Sequence, residues 1–368
     1  MMGATGAMMA DSGKVQPPTK IPNAITRVMS WGYRLGIGFQ NRRFDRGSGV
    51  TRLDMPVISI GNLSAGGTGK TPMVHWVANE LQAMGNKPTI AMRGYKAPPG
   101  EMGDEEREHH EALLDVPVVA QPNRIAGLQA LFETDPEINC VILDDGFQHR
   151  QLARDVDIVL IDASHPPYED ALLPRGYLRD PPSSLARADS IVISHAEMVN
   201  TGQLKGLQDW IEAMYPQCPL AITEHRWGTI NRYSLADGDW VCEQVLSEEL
   251  ISDRLVGVCG IGNPDGFFGQ IGQSGLNLVG KIVLRDHAQF DPSAINLILQ
   301  YAQSNHATAL CMTRKDWVKA RDRLRDKSEA QVEQFQVIVP ELGLFFRSGD
   351  QAIRGILKRA LGSGISGS

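Results

Sequence analysis

The sequence predicts an α/β protein in which a parallel sheet domain is followed by a second, smaller α/β domain. From about residue 50 to 225, short apolar runs of strand length alternate with amphipathic runs of helix length. Because these strands are apolar on both faces, we expect helices to cover both sides of the sheet. The alternation returns between 255 and 339, after two stretches at 222–234 and 240–245 that are typical of a linker or hairpin.

The composition is that of a globular protein, with 42% hydrophobic and 21% charged residues. A chain of 368 residues is long enough for two domains. The net charge of −7 argues against a nucleic-acid-binding protein. The five cysteines form no C-x-x-C pair, so neither a disulfide framework nor a zinc site is expected. No run of about 18 apolar residues predicts a membrane span, and the first residues lack a signal-peptide pattern.

The domain boundaries follow from changes in composition and in the spacing of apolar residues along the chain. Residues 1–20 are rich in small residues and are expected to be disordered, and residues 362–368 are expected to be a flexible tail. Residues 21–46 predict an amphipathic helix that contains aromatic residues and five arginines. Such a helix either lies in a membrane interface or packs on the protein core, and the pattern alone does not separate these alternatives. The first α/β domain then spans 47–225, and the second, with its linker, spans 226–361.

The stretch VISIGNLSAGGTGKTP, from Val57 to Pro72, predicts a strand, a glycine-rich phosphate loop and a helix. Glycines let backbone N–H groups approach phosphate oxygens, and the helix N-terminus adds unpaired donors. We expect Lys70 to reach the β- and γ-phosphates and the Thr71 hydroxyl to hold Mg²⁺. The loop departs from G-x-x-x-x-G-K-S/T because Ser64 replaces the first glycine. The expected nucleotide-binding residues are Gly61, Asn62, Ser64, Ala65, Gly66, Gly67, Thr68, Gly69, Lys70 and Thr71.

The remaining elements are predicted in chain order from apolar runs and turn residues. In the first domain they are a helix that ends before Gly85, a strand at 89–92, an acidic loop at 103–106, a strand at 116–120, a helix at 123–132, and strands from 140, at 157–162 and at 190–194. In the second domain they are strands at 255–259, 278–283, 309–312 and 335–339, and helices at 265–273, 292–303 and 315–324.

Two adjacent carboxylates, Asp144 and Asp145, end the apolar strand that begins at Cys140. Ligands of parallel sheets bind at the carboxyl ends of strands, so we expect this pair, the phosphate loop and Arg93 to meet at one edge. Both carboxylates are expected to serve the metal, with a turn or N-cap pair before Gly146 as the alternative. Several arginines in predicted loops either bind an anionic group or are surface charge, namely Arg93, Arg124, Arg150, Arg175 and Arg179.

Three further residues carry only a weak signal of their own. Asp104 and Glu105 have the composition of a solvated charged loop, and His287 follows a strand of the second domain. A lone histidine is more often structural than catalytic. A kinase that acts on a hydroxyl group nevertheless needs a carboxylate or an imidazole close to the acceptor oxygen.

Seven sequence blocks occur in a fixed order across roughly residues 21 to 350. They are GNLSAGGTGKTP, RGY at 93–95, GDE at 103–105, DDGFQHRQLARDVDIVLID at 144–162, LLPRGYLRDP at 172–181, GIGNPDGFF at 260–268 and RDHAQF at 285–290. GGTGKT alone occurs in many NTPases, whereas the DDGFQH block spaced correctly after it is far more specific. Together the blocks resemble the tetraacyldisaccharide 4′-kinases, the lipid A 4′-kinases of Gram-negative bacteria.

The resemblance implies a P-loop NTPase-type fold and transfer of the ATP γ-phosphate, with Mg²⁺, to the 4′-hydroxyl of a tetraacylated glucosamine disaccharide 1-phosphate. It implies that Asp104 accepts the hydroxyl proton or orients the oxygen, that His287 tunes it, and that Asp144 and Lys70 assist catalysis. It also implies that the N-terminal helix associates with the membrane, which places the protein peripherally on the cytoplasmic face of the inner membrane. The implied substrate-binding residues are Arg93, Glu105, Gln148, Arg175 and Asp180.

Three positions depart from the family pattern. Asp180 stands where glutamate is usual, Arg314 replaces the glutamate of T-E-K-D, and Ala288 replaces the second histidine of D-H-H. His287 is therefore the only candidate in its block. Two other functions stay open: a nucleotide-driven switch or partner-delivery protein without a small-molecule acceptor, and a soluble sugar kinase whose N-terminal helix is merely structural.

Overall fold

The structure, a computed structural model, describes residues 23–94, 102–261, 264–285, 290–326 and 335–363, of which Asn23, Ala24, Asp104 and Ser363 are described by their backbone alone. These ranges contain nine α-helices: α1 (Asn23–Asp45), α2 (Lys70–Ala83), α3 (Asp104–Ala112), α4 (Arg124–Thr134), α5 (Thr201–Met214), α6 (Pro264–Gln273), α7 (Pro292–Ser304), α8 (Arg314–Arg325) and α9 (Asp350–Ser363).

The same ranges contain twelve strands: β1 (Val57–Asn62), β2 (Pro88–Met92), β3 (Val118–Ala120), β4 (Cys140–Asp144), β5 (Val156–Asp162), β6 (Ser190–Ser194), β7 (Leu220–Ala236), β8 (Asp239–Val245), β9 (Arg254–Cys259), β10 (Asn277–Val283), β11 (Ala309–Met312) and β12 (Gln336–Ser348). The alternation of strands and helices confirms the predicted α/β class.

All twelve strands form one sheet, in the order β10-β9-β11-β12-β7-β6-β5-β1-β4-β2-β3, with β8 beside β7. Neighbouring strands are parallel, except that β7 pairs antiparallel with both β12 and β8. The β7–β8 hairpin falls in the region predicted as linker or hairpin. The long antiparallel pair of β7 and β12 joins the two α/β halves through a continuous sheet, and the division into two domains stays a prediction.

The central strands are buried on both faces because helices cover both sides of the sheet. Every residue of β1 and of β4 is buried. Ile58 and Ile60 pack on one side in a cluster with Val77 and other residues of α2. On the opposite side, Leu143 belongs to a cluster with Leu128 of α4. This double cover holds the carboxyl ends of β1 and β4 in place.

The acidic segment 103–106 was wrongly predicted as a loop. Helix α3 begins at Asp104, and the Gly103 N–H donates a 3.3 Å hydrogen bond to the Glu106 carboxylate. The Gly103 carbonyl accepts the first helical hydrogen bond from Arg107 at 2.9 Å. Acidic side chains are favourable in a first helical turn, because they complement the positive end of the helix dipole. The run of charges lacks the apolar stripe by which helices are usually predicted.

The prediction for β12 was wrong at its end, since this strand continues from 339 to Ser348. Pro340 lies inside the strand, and the pairing with β7 shifts register between Pro340 and Leu342. A proline has no N–H to donate, so it is tolerated where the ladder is already irregular. Helices α5 and α9 were not predicted.

Helix α1 contacts the rest of the protein mainly through polar groups. The Ser30 hydroxyl donates to the Leu172 carbonyl at 2.9 Å, and the Tyr33 hydroxyl donates to the Arg179 carbonyl at 3.3 Å. The Arg150 guanidinium donates to the Asn41 carbonyl at 3.1 Å. Most of its large apolar side chains are exposed, namely Ile25, Val28, Met29, Trp31, Leu35 and Phe39. Among the helices described, none combines the length and the apolar character that a membrane crossing requires.

Candidate active site

The predicted site residues follow neighbouring strands at one edge of the sheet. Strand β4 lies between β1 and β2, and all three run parallel, with Ile60 opposite Asp144 and Ala91 opposite Leu143. The phosphate loop, the Asp144–Asp145 pair and Arg93 therefore leave the sheet on the same side. This convergence is the one predicted from the strand ends.

Glycines in the phosphate loop allow two close approaches. A Cβ on Gly61 would lie 2.5 Å from the Phe147 Cβ, so a glycine there lets the turn after β4 pack against the end of β1. Gly69 has φ +76 and caps α2, and a Cβ there would lie 2.6 Å from His225 Cε1. Within the loop, the Asn62 amide donates to the Thr68 hydroxyl at 2.8 Å. These contacts place Lys70 at the start of α2, where the first N–H groups of the helix lack intrahelical partners.

Asp145 is the centre of a cationic cluster. The Arg179 guanidinium donates two hydrogen bonds to its carboxylate, at 2.6 and 2.7 Å, and the Lys70 ammonium lies 3.6 Å from Oδ1. The Arg124 guanidinium also donates to the Asp145 carbonyl at 3.5 Å. Burial raises the pKa of Asp145, but the Arg179 hydrogen bond and the charges on Lys70, Arg179 and Arg124 outweigh it and hold this pKa well below its usual range. Asp145 is therefore negatively charged at neutral pH.

Asp144 faces a pair of histidines that the sequence did not single out. His109 Nε2 lies 3.0 Å from Asp144 Oδ2, and His109 Nδ1 lies 3.0 Å from His75 Nε2. A carboxylate only accepts, so a neutral His109 donates to Asp144 and accepts from the His75 N–H. Burial, followed by the electrostatic effect of the neighbouring His109 ring, lowers the pKa of His75 to about 4. Asp144 and His109 are buried, His75 is partly buried, and the arrangement orients the Asp144 carboxylate.

The two carboxylates differ in their capacity to hold a metal ion. Both oxygens of Asp145 accept from Arg179, whereas Asp144 Oδ1 is buried and has no hydrogen-bond partner among the residues described. A buried carboxylate oxygen without a donor suits a hard cation such as Mg²⁺. Thr71 lies in the first turn of α2, the helix that follows β1, and β1 is the strand next to β4. The donor set thus fits the predicted ion best through Asp144.

Gln148 and Asp180 form a partly buried bridge beside the phosphate loop. The Gln148 amide donates to the Asn62 carbonyl at 2.8 Å and to Asp180 Oδ2 at 3.0 Å. Asp180 is only 3% exposed, and its backbone N–H donates to the Leu63 carbonyl at 3.3 Å. Asp180, which is one methylene shorter than the glutamate usual in the family, is therefore held at the loop through Gln148.

The other predicted substrate residues lie at the surface. Arg93 is exposed after β2, and Arg175 is exposed beside α1. Glu105 is exposed in the first turn of α3, and its pKa is raised by desolvation and by Asp144, while Lys70 acts in the opposite direction. His287 and the Asp104 side chain lie outside the described residues, so their pairing stays a prediction.

A cavity of about 520 Å³ opens between α1 and the segment 170–183. Its lining combines three arginines, Arg27, Arg34 and Arg175, with the Trp31 ring. A basic, aromatic cavity next to exposed apolar side chains suits a ligand that is both anionic and lipid-like.

Other candidate residues have structural partners. Arg150 binds α1 through Asn41 and pairs with Asp45 at 2.6 Å. Arg314, which departs from the family pattern, pairs with Glu341 at 2.5 Å and lies 3.8 Å from Glu111. The His75–His109–Asp144 contacts were missed because they join residues 34 and 35 positions apart. The only sequence signal was a histidine at 75 among the apolar residues of α2.

Comparison with known proteins gives a consistent picture. A family model described as tetraacyldisaccharide-1-P 4′-kinase matches residues 23–359. The tetraacyldisaccharide 4′-kinase of Halothermothrix orenii is 34% identical over 294 residues, which cover 73% of this chain and 75% of that protein. The proteins of the same name from Syntrophus aciditrophicus and Geobacter sulfurreducens are 34% and 32% identical, covering 80% and 86% of this chain and 83% and 90% of theirs.

A solved structure shares the fold along nearly the whole chain. LpxK from Aquifex aeolicus, in complex with ATP, superimposes with a TM-score of 0.67 and covers 92% of this chain and 99% of its own. The two chains are 24% identical, so this likeness concerns the fold alone.

Proposed function

The chain belongs to the tetraacyldisaccharide-1-P 4′-kinase family, and we propose that it transfers the γ-phosphate of ATP to the 4′-hydroxyl of a tetraacylated disaccharide 1-phosphate at the sheet edge around Asp145. The observation that carries the proposal is the convergence of Lys70 and Arg179 on Asp145 beside the phosphate loop. The family is one of kinases, which transfer phosphate to a hydroxyl group.

The charge balance of the site supports triphosphate binding. Three cations, on Lys70, Arg124 and Arg179, face Asp145, while the adjacent Asp144 contacts His109. The Lys70 contact, at 3.6 Å, is longer than a hydrogen bond, so its ammonium can turn toward a phosphate at little cost. Arg179 is held by two hydrogen bonds, and its planar guanidinium is thereby oriented at the site. The nucleotide phosphates would add the negative charge that this cluster lacks.

We assign different roles to the two carboxylates. Asp144, with its unpartnered Oδ1, would hold Mg²⁺ together with Thr71, and His75 and His109 would orient it. Bound Mg²⁺ neutralises charge on the β- and γ-phosphates. Asp145 would anchor Arg179 and set the position of Lys70 between turnovers.

We also propose that Asp104 acts as the base toward the acceptor hydroxyl and that His287 tunes it. The assignment rests on the family resemblance, and the course of the backbone supports it. Position 104 begins α3, and His109 of the same helix contacts Asp144. Five residues of α-helix span roughly 7.5 Å, so position 104 lies about one and a half helical turns from the residue that contacts Asp144. A helix start also fixes the backbone of the base more firmly than a loop would.

The N-terminal helix would hold the site at the cytoplasmic face of the inner membrane. Val28, Trp31 and Phe39 are 70%, 66% and 77% exposed, which is unfavourable in water and favourable in a bilayer interface. The Tyr33 hydroxyl donates to the carbonyl of Arg179, whose guanidinium binds Asp145. Helix α1 is therefore connected directly to the site, and an acceptor anchored by its acyl chains could reach it without leaving the lipid.

The acceptor dependence of ATP consumption tests this function against the nucleotide-switch alternative. ADP formation would be followed with Mg·ATP in detergent micelles, with and without the tetraacyl disaccharide 1-phosphate. The proposed kinase consumes ATP many times faster when the acceptor is present. Equal rates with and without the acceptor, together with stimulation by a protein partner, would reject the kinase in favour of the switch.

A further inference from the structure

A second polar cluster lies behind the phosphate loop, and the proposed kinase reaction makes no use of it. Glu197 Oε1 lies 3.3 Å from His195 Nδ1 and 3.8 Å from His225 Nδ1. The ligand-type atoms of these three residues all lie within 4.8 Å of one another. The two imidazole rings have centroids 4.4 Å apart. The cluster is thus a compact set of two histidines and one carboxylate, between the end of β6 and the neighbouring strand β7.

His225 is the residue that ordinary hydrogen bonding leaves unexplained. Its side chain is 1% exposed, and neither ring nitrogen has a hydrogen-bond partner among the described residues. Its backbone is well satisfied, since the N–H donates to Glu197 Oε2 at 3.0 Å and the carbonyl accepts from Gln270 at 2.9 Å. A neutral imidazole has one donor and one acceptor, and burying both without partners is costly. The ring therefore calls for a ligand.

The geometry of the three donors suits a cation between them. In a tetrahedral zinc site, bonds of about 2.0–2.2 Å place neighbouring donors roughly 3.4 Å apart. Two of the three separations, 3.3 and 3.8 Å, lie close to that value, and the shorter one is a hydrogen bond between His195 and Glu197 when no metal is bound. A ligating histidine usually uses its other ring nitrogen for a hydrogen bond that fixes the tautomer. In His195, Nδ1 lies toward Glu197, and Nε2 faces the phosphate loop, 3.6 Å from where a Cβ on Gly69 would be.

We propose that His195, Glu197 and His225 bind a divalent transition metal ion of the Zn²⁺ type, separate from the Mg²⁺ that accompanies ATP. Imidazole nitrogens favour Zn²⁺, Co²⁺ or Fe²⁺, whereas Mg²⁺ takes oxygen ligands. The cysteine pattern could not indicate this site, since its ligands are two histidines 30 positions apart in the sequence and a glutamate.

The position of the site indicates a structural role for the metal. His195 and His225 lie against Gly69, and the Ser194 hydroxyl donates to the Thr68 carbonyl at 2.9 Å. A metal that fixes both rings would hold the segment 67–69 against β6 and β7, directly before Lys70. Metal binding would therefore stabilise the loop in the shape that receives phosphate.

Titration of the full-length protein with Co²⁺ tests the proposal independently of kinase activity. Mg²⁺ is kept in large excess to occupy the oxygen site, and the visible absorption of Co²⁺ reports nitrogen coordination. We expect one equivalent of Co²⁺ to bind, Zn²⁺ to displace it, and Zn²⁺ to raise the melting temperature. Absence of a Co²⁺ absorption band in the wild-type protein overturns the proposal.

Matched histidine variants locate the metal. His195→Gln and His225→Gln should each weaken Co²⁺ binding by on the order of 10²-fold. His165→Gln, at a side chain 56% exposed and outside the cluster, should bind Co²⁺ as the wild type does. Melting in EDTA checks that each variant is folded. If both cluster variants bound Co²⁺ as tightly as the wild-type protein does, the metal would lie elsewhere and the proposal would be overturned. If Co²⁺ does not bind, the proposed kinase reaction is not contradicted, because that reaction is measured separately by its product.

Discussion

The guanidinium of Arg179 holds the carboxylate of Asp145 through two hydrogen bonds of 2.6 and 2.7 Å, at the mouth of the phosphate loop. The residues are 34 positions apart and come from different loops of the sheet edge. Because the pair occupies both oxygens of Asp145, it separates the roles of two adjacent carboxylates. Asp145 orients a cation, and Asp144 keeps an oxygen for the metal.

The first prediction concerns this pair. Arg179→Lys keeps the positive charge but loses the planar fork that binds both oxygens of Asp145. Charge-assisted hydrogen bonds contribute about 1.5–3 kcal/mol each, so we expect kcat/KM for the acceptor to fall about 10- to 100-fold. The measurement is steady-state kinetics with Mg·ATP and acceptor in micelles. Arg323→Lys, at an exposed position of α8, is the control and should leave kcat/KM unchanged. Wild-type kinetics in Arg179→Lys would show that the fork has no part in the reaction.

The second prediction concerns the proposed base. Asp104→Ala should lower kcat by on the order of 10² or more, because general base catalysis is lost while nucleotide binding is kept. Single-turnover kinetics would separate this effect from product release. Asp115→Ala removes an exposed carboxylate after α3 and should retain full turnover. If Asp104→Ala turns over near the wild-type rate, another group must take the proton.

The third prediction is a loss of stability in acid that comes from His75. Its pKa is about 4 in the folded protein, against 6.5 for an unperturbed histidine, so the unfolded chain binds more protons between these values. Stability should thus be constant above about pH 6.5 and fall as the pH drops toward 4. For this group alone the loss between about pH 7.5 and about pH 5 is about 2 kcal/mol.

Urea denaturation at the two pH values measures this loss. His75→Leu removes the titrating group, so its free energy of unfolding should differ less between the two conditions. It should also be lower at both, because His109 loses its hydrogen-bond donor. His306→Asn, an exposed control at a positive φ that asparagine tolerates, should keep the wild-type pH dependence. An unchanged pH dependence in His75→Leu would refute the assignment.

The fourth prediction concerns membrane association. Val28→Asp and Phe39→Asp place a charge on the exposed apolar surface of α1 and should each reduce co-sedimentation with anionic liposomes at least about tenfold. Leu246→Asp changes a similarly exposed leucine, 67% accessible, away from α1 and should sediment as the wild type does. Equal sedimentation of all these proteins would favour the alternative in which α1 is merely structural.

The features that could be predicted from the sequence are those that depend on residues close together in the chain. The phosphate loop is a contiguous motif, and the carboxylates of Asp144 and Asp145 directly follow an apolar strand. Parallel pairing then brings them together, because it aligns strand ends. The fold class follows in the same way from apolar runs of strand length.

The features that were missed depend on contacts between distant segments or lack apolar periodicity. His75 and His109 join only when α3 packs beside α2, and nothing next to either residue predicts this. The start of α3 was mistaken for a loop because its charges hide the helical pattern. Of the arginines considered, only packing distinguished Arg179, which binds Asp145, from Arg150, which binds α1.

The most direct test of the central claim is mass analysis of the lipid acceptor after incubation with Mg·ATP. We predict that the tetraacyl disaccharide 1-phosphate gains one phosphoryl group, at its 4′-hydroxyl. Lys70→Ala should form this product far more slowly, while Lys205→Ala, at a lysine 70% exposed, should form it at the wild-type rate. An unmodified acceptor, in the presence of folded wild-type protein that binds ATP, would contradict the account.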